Sequence, residues 1–217
     1  MRHEEWHIQK PIAVDKQRRG LGDSARFLKS LVASPRLTGA VAPSGRALAR
    51  AMAAAVGSPA HGLVVELGPG TGPVTRSLLE AGLPPERLVL VEYDGEFCRL
   101  LKQRFAHASI VQGDAYDLPQ TLAPFAGQPI AAVVSSLPLL NQPPPRRTKL
   151  IADAFALMGP SGTFVQFTYG LISPIPREAF SNLYSAVRSK PIFLNLPPAF
   201  VWTYRLDRRH SDAAQGR

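Results

Sequence analysis

The segment Leu63-Val64-Val65-Glu66-Leu67-Gly68-Pro69-Gly70-Thr71-Gly72 carries a short apolar run straight into a glycine-rich turn, and a helix-length stretch follows it. An apolar run of this length bounded by a turn reads as a buried strand. Glycines in the turn let the backbone bend tightly and approach a ligand closely. Downstream the alternation repeats. Apolar runs at about 63–67, 88–92, 109–112, 130–135 and 162–168 alternate with helix-length segments at about 72–81, 94–105, 116–122 and 146–158. That is the pattern of βα units winding a parallel sheet. The β-rich segments 191–196 and 199–206, joined by Pro197-Pro198, are expected to close the sheet as an antiparallel edge pair. The expected fold class is α/β: a Rossmann-like, seven-stranded sheet, mostly parallel, with N-terminal amphipathic helices before it.

Upstream of the sheet pattern, residues 1–22 mix basic Lys10, Lys16, Arg18 and Arg19 with isolated apolar Trp6, Ile8, Ile12 and Val14, and show no helical period. From Asp23 onward Phe27, Leu28, Leu31 and Val32 recur at helical spacing with Arg26 and Lys29 between them, and Pro35 stops the run. This predicts a short basic amphipathic helix. A second helix is expected from near Ser44 through Leu48, Met52 and Val56 to Gly57-Ser58-Pro59. The chain is read as a basic arm with amphipathic helices over 1–58 and a sheet-forming core over 59–217.

Charge follows the same division. Residues 1–50 hold ten Lys/Arg against four Asp/Glu, residues 51–175 eight against nine, and residues 176–217 seven against three, so the net charge of +9 lies wholly in the terminal segments. Basic arms of this kind suit nucleic acid or an anionic membrane surface. No stretch approaches the roughly 18 uninterrupted apolar residues of a spanning helix, and the first thirty positions lack a secretory h-region; a cytoplasmic location is expected. The sole cysteine, Cys98, supports neither a disulfide nor a cysteine metal site within one chain.

The acids around the glycine turn narrow its ligand. Glu66, on the strand just before the turn, would repel a pyrophosphate but can take up the ammonium of a methionyl group. Glu92 ends the second strand where a ribose would present two hydroxyls. Asp114, in Gly113-Asp114-Ala115 after the third strand, can accept from an adenine amino group. In order, these features resemble the cofactor motifs of class I S-adenosylmethionine-dependent methyltransferases. The resemblance implies S-adenosyl-L-methionine as cofactor, held by Glu66, Gly68, Gly70, Thr71, Gly72, Glu92, Tyr93, Asp114, Ala115 and Ser135, with no metal.

The fourth strand ends in Ser135-Ser136-Leu137-Pro138-Leu139-Leu140, where such a sheet presents the transferable methyl group. Amino-methylating relatives carry Asn/Asp-x-Pro-Tyr/Phe there. In this chain serines replace the Asn/Asp and Leu139 replaces the aromatic. The run from Phe27 to Met52, containing Thr38-Gly39-Ala40-Val41-Ala42-Pro43-Ser44, together with the glycine turn and Ser135-Ser136-Leu137-Pro138-Leu139, is similar to bacterial phospholipid N-methyltransferases. That resemblance covers about residues 24–170. It implies methylation of phosphatidylethanolamine towards phosphatidylcholine by an enzyme docked on the inner face of the cytoplasmic membrane, with an anionic membrane surface and a phospholipid as partners. A monomer that binds no nucleic acid is expected. A quaternary ammonium product calls for aromatic faces and neutral oxygens. Tyr169, Tyr184, Ser135 and Ser136 are accordingly the candidate acceptor residues, with Tyr184 expected on a helix, and Arg46 and Arg177 are candidates for the lipid phosphate. An RNA adenine-N6 methyltransferase, and a membrane module that holds the cofactor without catalysis, are the alternatives.

Overall fold

The computed structural model describes residues 43–57, 59–177, 184–195 and 197–207. The basic arm and the helix expected around Phe27, Leu28, Leu31 and Val32 lie outside them. Seven strands form one sheet in the order β3-β2-β1-β4-β5-β7-β6. They are β1 (Leu63–Leu67), β2 (Leu88–Glu92), β3 (Ser109–Gln112), β4 (Ile130–Ser135), β5 (Thr163–Thr168), β6 (Tyr184–Arg188) and β7 (Phe200–Leu206). The first five run parallel, and β7 lies antiparallel between β5 and β6.

All five residues of β1, and all five of β2, are buried, which explains their unbroken apolar runs: a parallel sheet must be covered on both faces. One face packs Val64, Leu88, Leu90, Val134 and Val165 under α1 (Pro43–Val56), α2 (Pro73–Glu80) and α3 (Gly95–Arg104). The other packs Val65, Val89, Val133 and Phe164 under α4 (Leu118–Thr121) and α5 (Pro144–Met158). The helix expected near Ser44 is present as α1, and its Leu48, Ala49, Met52, Ala53 and Val56 are buried in this core.

The edge pair differs from the sequence reading. β7 pairs with Tyr184–Arg188 and not with 191–196, which contributes one isolated bridge, Ile192 to Ala199. Prolines at 191, 197 and 198 bring no N–H to a ladder, so this segment cannot sustain pairing. Tyr184 correspondingly sits on an edge strand and not on a helix.

The strand order reverses between β1 and β4. The connections after β1, β2, β3, β4 and β5 therefore meet at the carboxyl edge, where open α/β sheets form their binding crevice.

Candidate active site

The glycine turn is a backbone requirement as well as a motif. Gly68, Gly70 and Gly72 all have positive φ, at 66°, 56° and 82°, a region that side chains with a Cβ avoid. A Cβ on Gly68 would stand 2.8 Å from Leu137 Cδ2, whereas one on Gly70 would meet nothing within 4 Å. Packing fills the space beside Gly68, and the space beside Gly70 is open. Pro73 then starts α2 at its first position, where its missing N–H costs nothing.

Two buried acids support this turn from the same face of the sheet. Glu92 accepts from the Gly70 amide at 3.0 Å through one oxygen, and from the Tyr93 and Asp94 amides at 2.9 and 3.0 Å through the other. The carboxylate thereby ties the turn to the end of β2. Glu66 is wholly buried on β1. One of its oxygens accepts from the Thr75 hydroxyl at 2.7 Å and the other has no partner. Burial pushes its carboxyl up to about 7. A buried carboxyl with an orphaned oxygen favours whatever brings positive charge to it.

At the end of β3, Asp114 accepts from the Tyr116 amide at 2.9 Å and pairs with Arg146 at 3.6 Å. Arg146 also stacks on the Tyr116 ring, 4.1 Å from its centroid. Ala115 is buried, and Tyr93 is exposed at the end of β2. Sequence reasoning missed Tyr116, whose hydroxyl is buried without a partner and whose phenol burial pushes up to about 12. Its position directly after Gly-Asp-Ala was the available signal.

At the end of β4, Ser135 is fully buried and its hydroxyl accepts from the Leu137 amide at 3.4 Å, while Ser136 is half-buried and its amide bonds to the Leu67 carbonyl at 2.9 Å. Leu139 occupies the expected aromatic position but is buried in the core, so it offers no face to a base. Gln166 on β5, also missed, lies in register with Ser135. Its amide nitrogen donates to the Leu137 carbonyl at 3.0 Å and its oxygen is buried without a partner. It therefore fixes the Ser-Ser-Leu-Pro-Leu loop from below. A lone glutamine inside an apolar strand was the signal.

The two tyrosines separate. Tyr169 follows β5 at the carboxyl edge, half exposed, with Phe167 edge-on at 5.5 Å. Tyr184 is a correction: its register partner is Leu206, at the end of the sheet opposite the glycine turn. Its ring stacks on Phe155 of α5 at 4.8 Å, against the core. It cannot line an acceptor pocket at the carboxyl edge. Arg46, in the first turn of α1, and Arg177, on the connection after β5, are both exposed.

A sheet of this order, with a glycine turn after β1 and acids closing β1 and β2, defines a class I methyltransferase fold. Residues 64–162 match the sequence family described as a methyltransferase domain. The chain is 36% identical over 150 residues to an ornithine lipid N-methyltransferase of Singulisphaera acidiphila, an alignment spanning 66% of this chain and 75% of the relative. A ribosomal RNA small subunit methyltransferase A of a Synechococcus strain is 48% identical over 59 residues, but the match spans only 20% of that protein. Among solved structures, the glycopeptide N-methyltransferase MtfA, complexed with S-adenosyl-L-homocysteine, superposes with a TM-score of 0.58 at 17% identity, covering 84% of this chain and 97% of MtfA. The chain belongs to the family of S-adenosylmethionine-dependent methyltransferases that contains the Singulisphaera enzyme. The open side of Gly70 and the orphaned oxygen of Glu66 fit that cofactor.

Proposed function

We propose that the chain methylates the amine of a membrane aminolipid, with phosphatidylethanolamine as substrate and successive transfers leading towards phosphatidylcholine. The observation that carries the reading is the match to a lipid N-methyltransferase across three quarters of that relative. The acceptor edge agrees with it, since neutral oxygens and an aromatic ring stand where a carboxylate would trap the cationic product. In this reading Glu66 receives the cofactor's ammonium beneath the glycine turn, Glu92 its ribose hydroxyls and Asp114 its adenine amino group. Gly68, Gly70, Thr71 and Gly72 bend the backbone against it, and Tyr93, Ala115 and Ser135 line its edges. When bound, S-adenosylmethionine supplies an electrophilic methyl group for in-line attack by an uncharged amine.

The chain's own task is alignment and desolvation. The Ser136 hydroxyl and the Tyr169 ring hold the amine, the buried Ser135 and Gln166 fix the loop that follows β4, and Arg46 and Arg177 face the lipid phosphate. A head-group ammonium titrates near ~10, so an apolar, uncharged surround that disfavours the protonated form promotes attack. The basic N-terminal arm, with the apolar Phe27, Leu28, Leu31 and Val32, docks a monomeric enzyme on the inner, anionic face of the cytoplasmic membrane.

A second reading is favoured by the Singulisphaera relative itself: an ornithine lipid also presents a primary amine beside acyl chains, and it would fit the same edge. An adenine acceptor is disfavoured because Leu139 is buried and because the ribosomal RNA relatives align over a short part of their length. The test is incubation of the purified chain with radiolabelled S-adenosylmethionine and, separately, phosphatidylethanolamine vesicles, ornithine lipid vesicles and unmodified ribosomal RNA. Label in phosphatidylethanolamine is the expected result. Label confined to ornithine lipid moves the assignment to the second reading, and label in RNA, or in nothing, overturns both.

A further inference from the structure

Three connections at one half of the carboxyl edge share an unusual composition. The first follows β4. The second follows β5. The third, residues 189–199, joins β6 to β7 and reaches the same edge because Thr168 at the end of β5 pairs with Phe200 at the start of β7, and Arg188 pairs with Trp202. Large apolar side chains stand in water on all three: Leu140 at 49% exposure on the first, Leu171 and Ile172 at 70% and 74% on the second, and Phe193 and Leu194 at 76% and 78% at the turn of the third. Isolated exposed apolar residues are ordinary, but a group of them gathered on one rim marks an interaction surface.

The connections also touch one another. A Cβ on Gly170 would lie 3.4 Å from Leu140 Cδ1, Arg188 donates to the Leu171 carbonyl at 2.6 Å, and Arg147 donates to the Pro174 carbonyl at 2.6 Å. The rim is thus one surface, braced by two arginines.

Charge identifies the occupant. Residues 136–150, 169–177 and 188–200 contain Arg146, Arg147, Lys149, Arg177, Arg188 and Lys190 and no Asp or Glu. Arg146 pairs with Asp114 and Lys149 with Asp153, both outside these stretches, which leaves Arg147, Arg177, Arg188 and Lys190 without an ion pair among the described residues; Glu178 is outside them. Apolar tips on connections that also carry four cations without an ion pair match the boundary between acyl chains and anionic head groups, where apolar groups enter and basic groups stay with the phosphates. A protein partner would not require this one-sided charge.

We infer that this rim is a second membrane-docking surface, built from the sheet's own connections and from other residues than the N-terminal arm, which seats the carboxyl edge directly on an anionic bilayer. The inference rests on the lipid-methylating reading for its purpose but not for its test. Seated this way, the carboxyl edge beside Ser136 and Tyr169 faces the head groups. A lipid amine then reaches it by rising a short way, and its acyl chains remain near the leaflet.

The test uses the full chain with Cys98→Ser and one of two reporter cysteines carrying an environment-sensitive dye. Phe193→Cys reports from the rim. Glu86→Cys reports from the exposed turn before β2, at the opposite edge of the sheet. On phosphatidylcholine vesicles containing phosphatidylglycerol, the dye at 193 is expected to shift to the blue and to be quenched by lipids spin-labelled in the acyl chain, while the dye at 86 stays unchanged. Substituting Leu171, Ile172, Phe193 and Leu194 together by Ser is expected to weaken partition onto these vesicles at least about tenfold and to leave methyl transfer to a monodisperse short-chain aminolipid unchanged. Equal responses at both positions, a silent dye at 193 on vesicles that do bind, no binding at all, or a doubled mass in light scattering that accounts for the apolar rim would each overturn the inference. Insertion at 193 without transfer to any lipid would leave the docking surface standing and sink the lipid-methylating reading; transfer to vesicle lipid with a silent 193 would do the reverse.

Discussion

The two halves of the carboxyl edge are built on opposite plans. On the β1–β2–β3 side, carboxylates take up backbone amides at each strand end, and one Glu66 oxygen is left over. Glu92 takes three amides, Asp94 caps α3 through the Glu96 and Phe97 amides, and Asp114 takes one amide and an arginine. On the β4–β5–β7 side, residues 136–150, 169–177 and 188–200 hold no acid, apolar side chains face water, and the Gln166 oxygen is left unpaired. The first plan holds a constant, polar ligand in a fixed pose. The second leaves a surface whose partner comes from outside the protein. Substitutions on the two sides should therefore separate into effects on cofactor affinity and effects on acceptor use.

Glu92→Ala should produce the largest effect, because it strands the buried Gly70 amide and releases two half-buried amides at once. An unmatched buried donor costs about 1–3 kcal/mol. The glycine turn should loosen, with S-adenosylhomocysteine affinity falling well beyond tenfold in calorimetry and the urea midpoint falling with it. Retention of both would show that the turn is held by something other than Glu92.

Glu66→Ala should weaken cofactor binding more than tenfold with less effect on stability. Glu66 also predicts a pH dependence. Its folded-state value is raised by burial from 4.5 to about 7, so its favourable contribution is fully present below the unfolded value and is lost as pH rises through the folded one. The loss amounts to about 3 kcal/mol between about pH 4.5 and pH 7. In urea titrations without cofactor, wild type should lose most of this relative to Glu66→Gln, about 2.5 kcal/mol, between about pH 5 and about pH 8. Parallel curves would remove the buried, unpaired carboxyl from the account.

Smaller effects are expected on the other half. Gln166→Leu should lower turnover with lipid several-fold while leaving S-adenosylhomocysteine affinity intact, since Gln166 braces only the Leu137 carbonyl and its neighbour. Tyr169→Ala should behave alike and more mildly. Tyr184→Ala should instead cost about 2 kcal/mol of stability through its lost stacking on Phe155, with turnover per folded molecule unchanged. A turnover defect for Tyr184→Ala without loss of stability would return that residue to the site.

The cofactor half was largely legible in the sequence because its signals are local. A buried strand, a turn that demands positive φ, and an acid closing each of two strands all sit within a few residues of one another, and the five parallel strands fell within a residue of their expected bounds. The acceptor half was not, for two physical reasons. β6 has four exposed residues of five and pairs with β7 alone, so Tyr184–Arg188 carries no apolar period to betray it. In contrast, the apolar Ile192–Leu194 looks like a strand but is isolated by prolines. Gln166 escaped for a similar reason. Its importance lies in its register with Ser135, a relation between strands that no spacing along the chain encodes.

The most direct test of the central claim, an amine in a lipid head group as methyl acceptor, is to locate the transferred carbon. Vesicles of phosphatidylethanolamine are incubated with the enzyme and S-adenosylmethionine bearing an isotopically labelled methyl group, and the lipids are fragmented by mass spectrometry. The account predicts the label on the head-group nitrogen, appearing first singly and then in multiply methylated lipid. Unlabelled head groups in the presence of bound cofactor, or label on any atom other than that nitrogen, would contradict it.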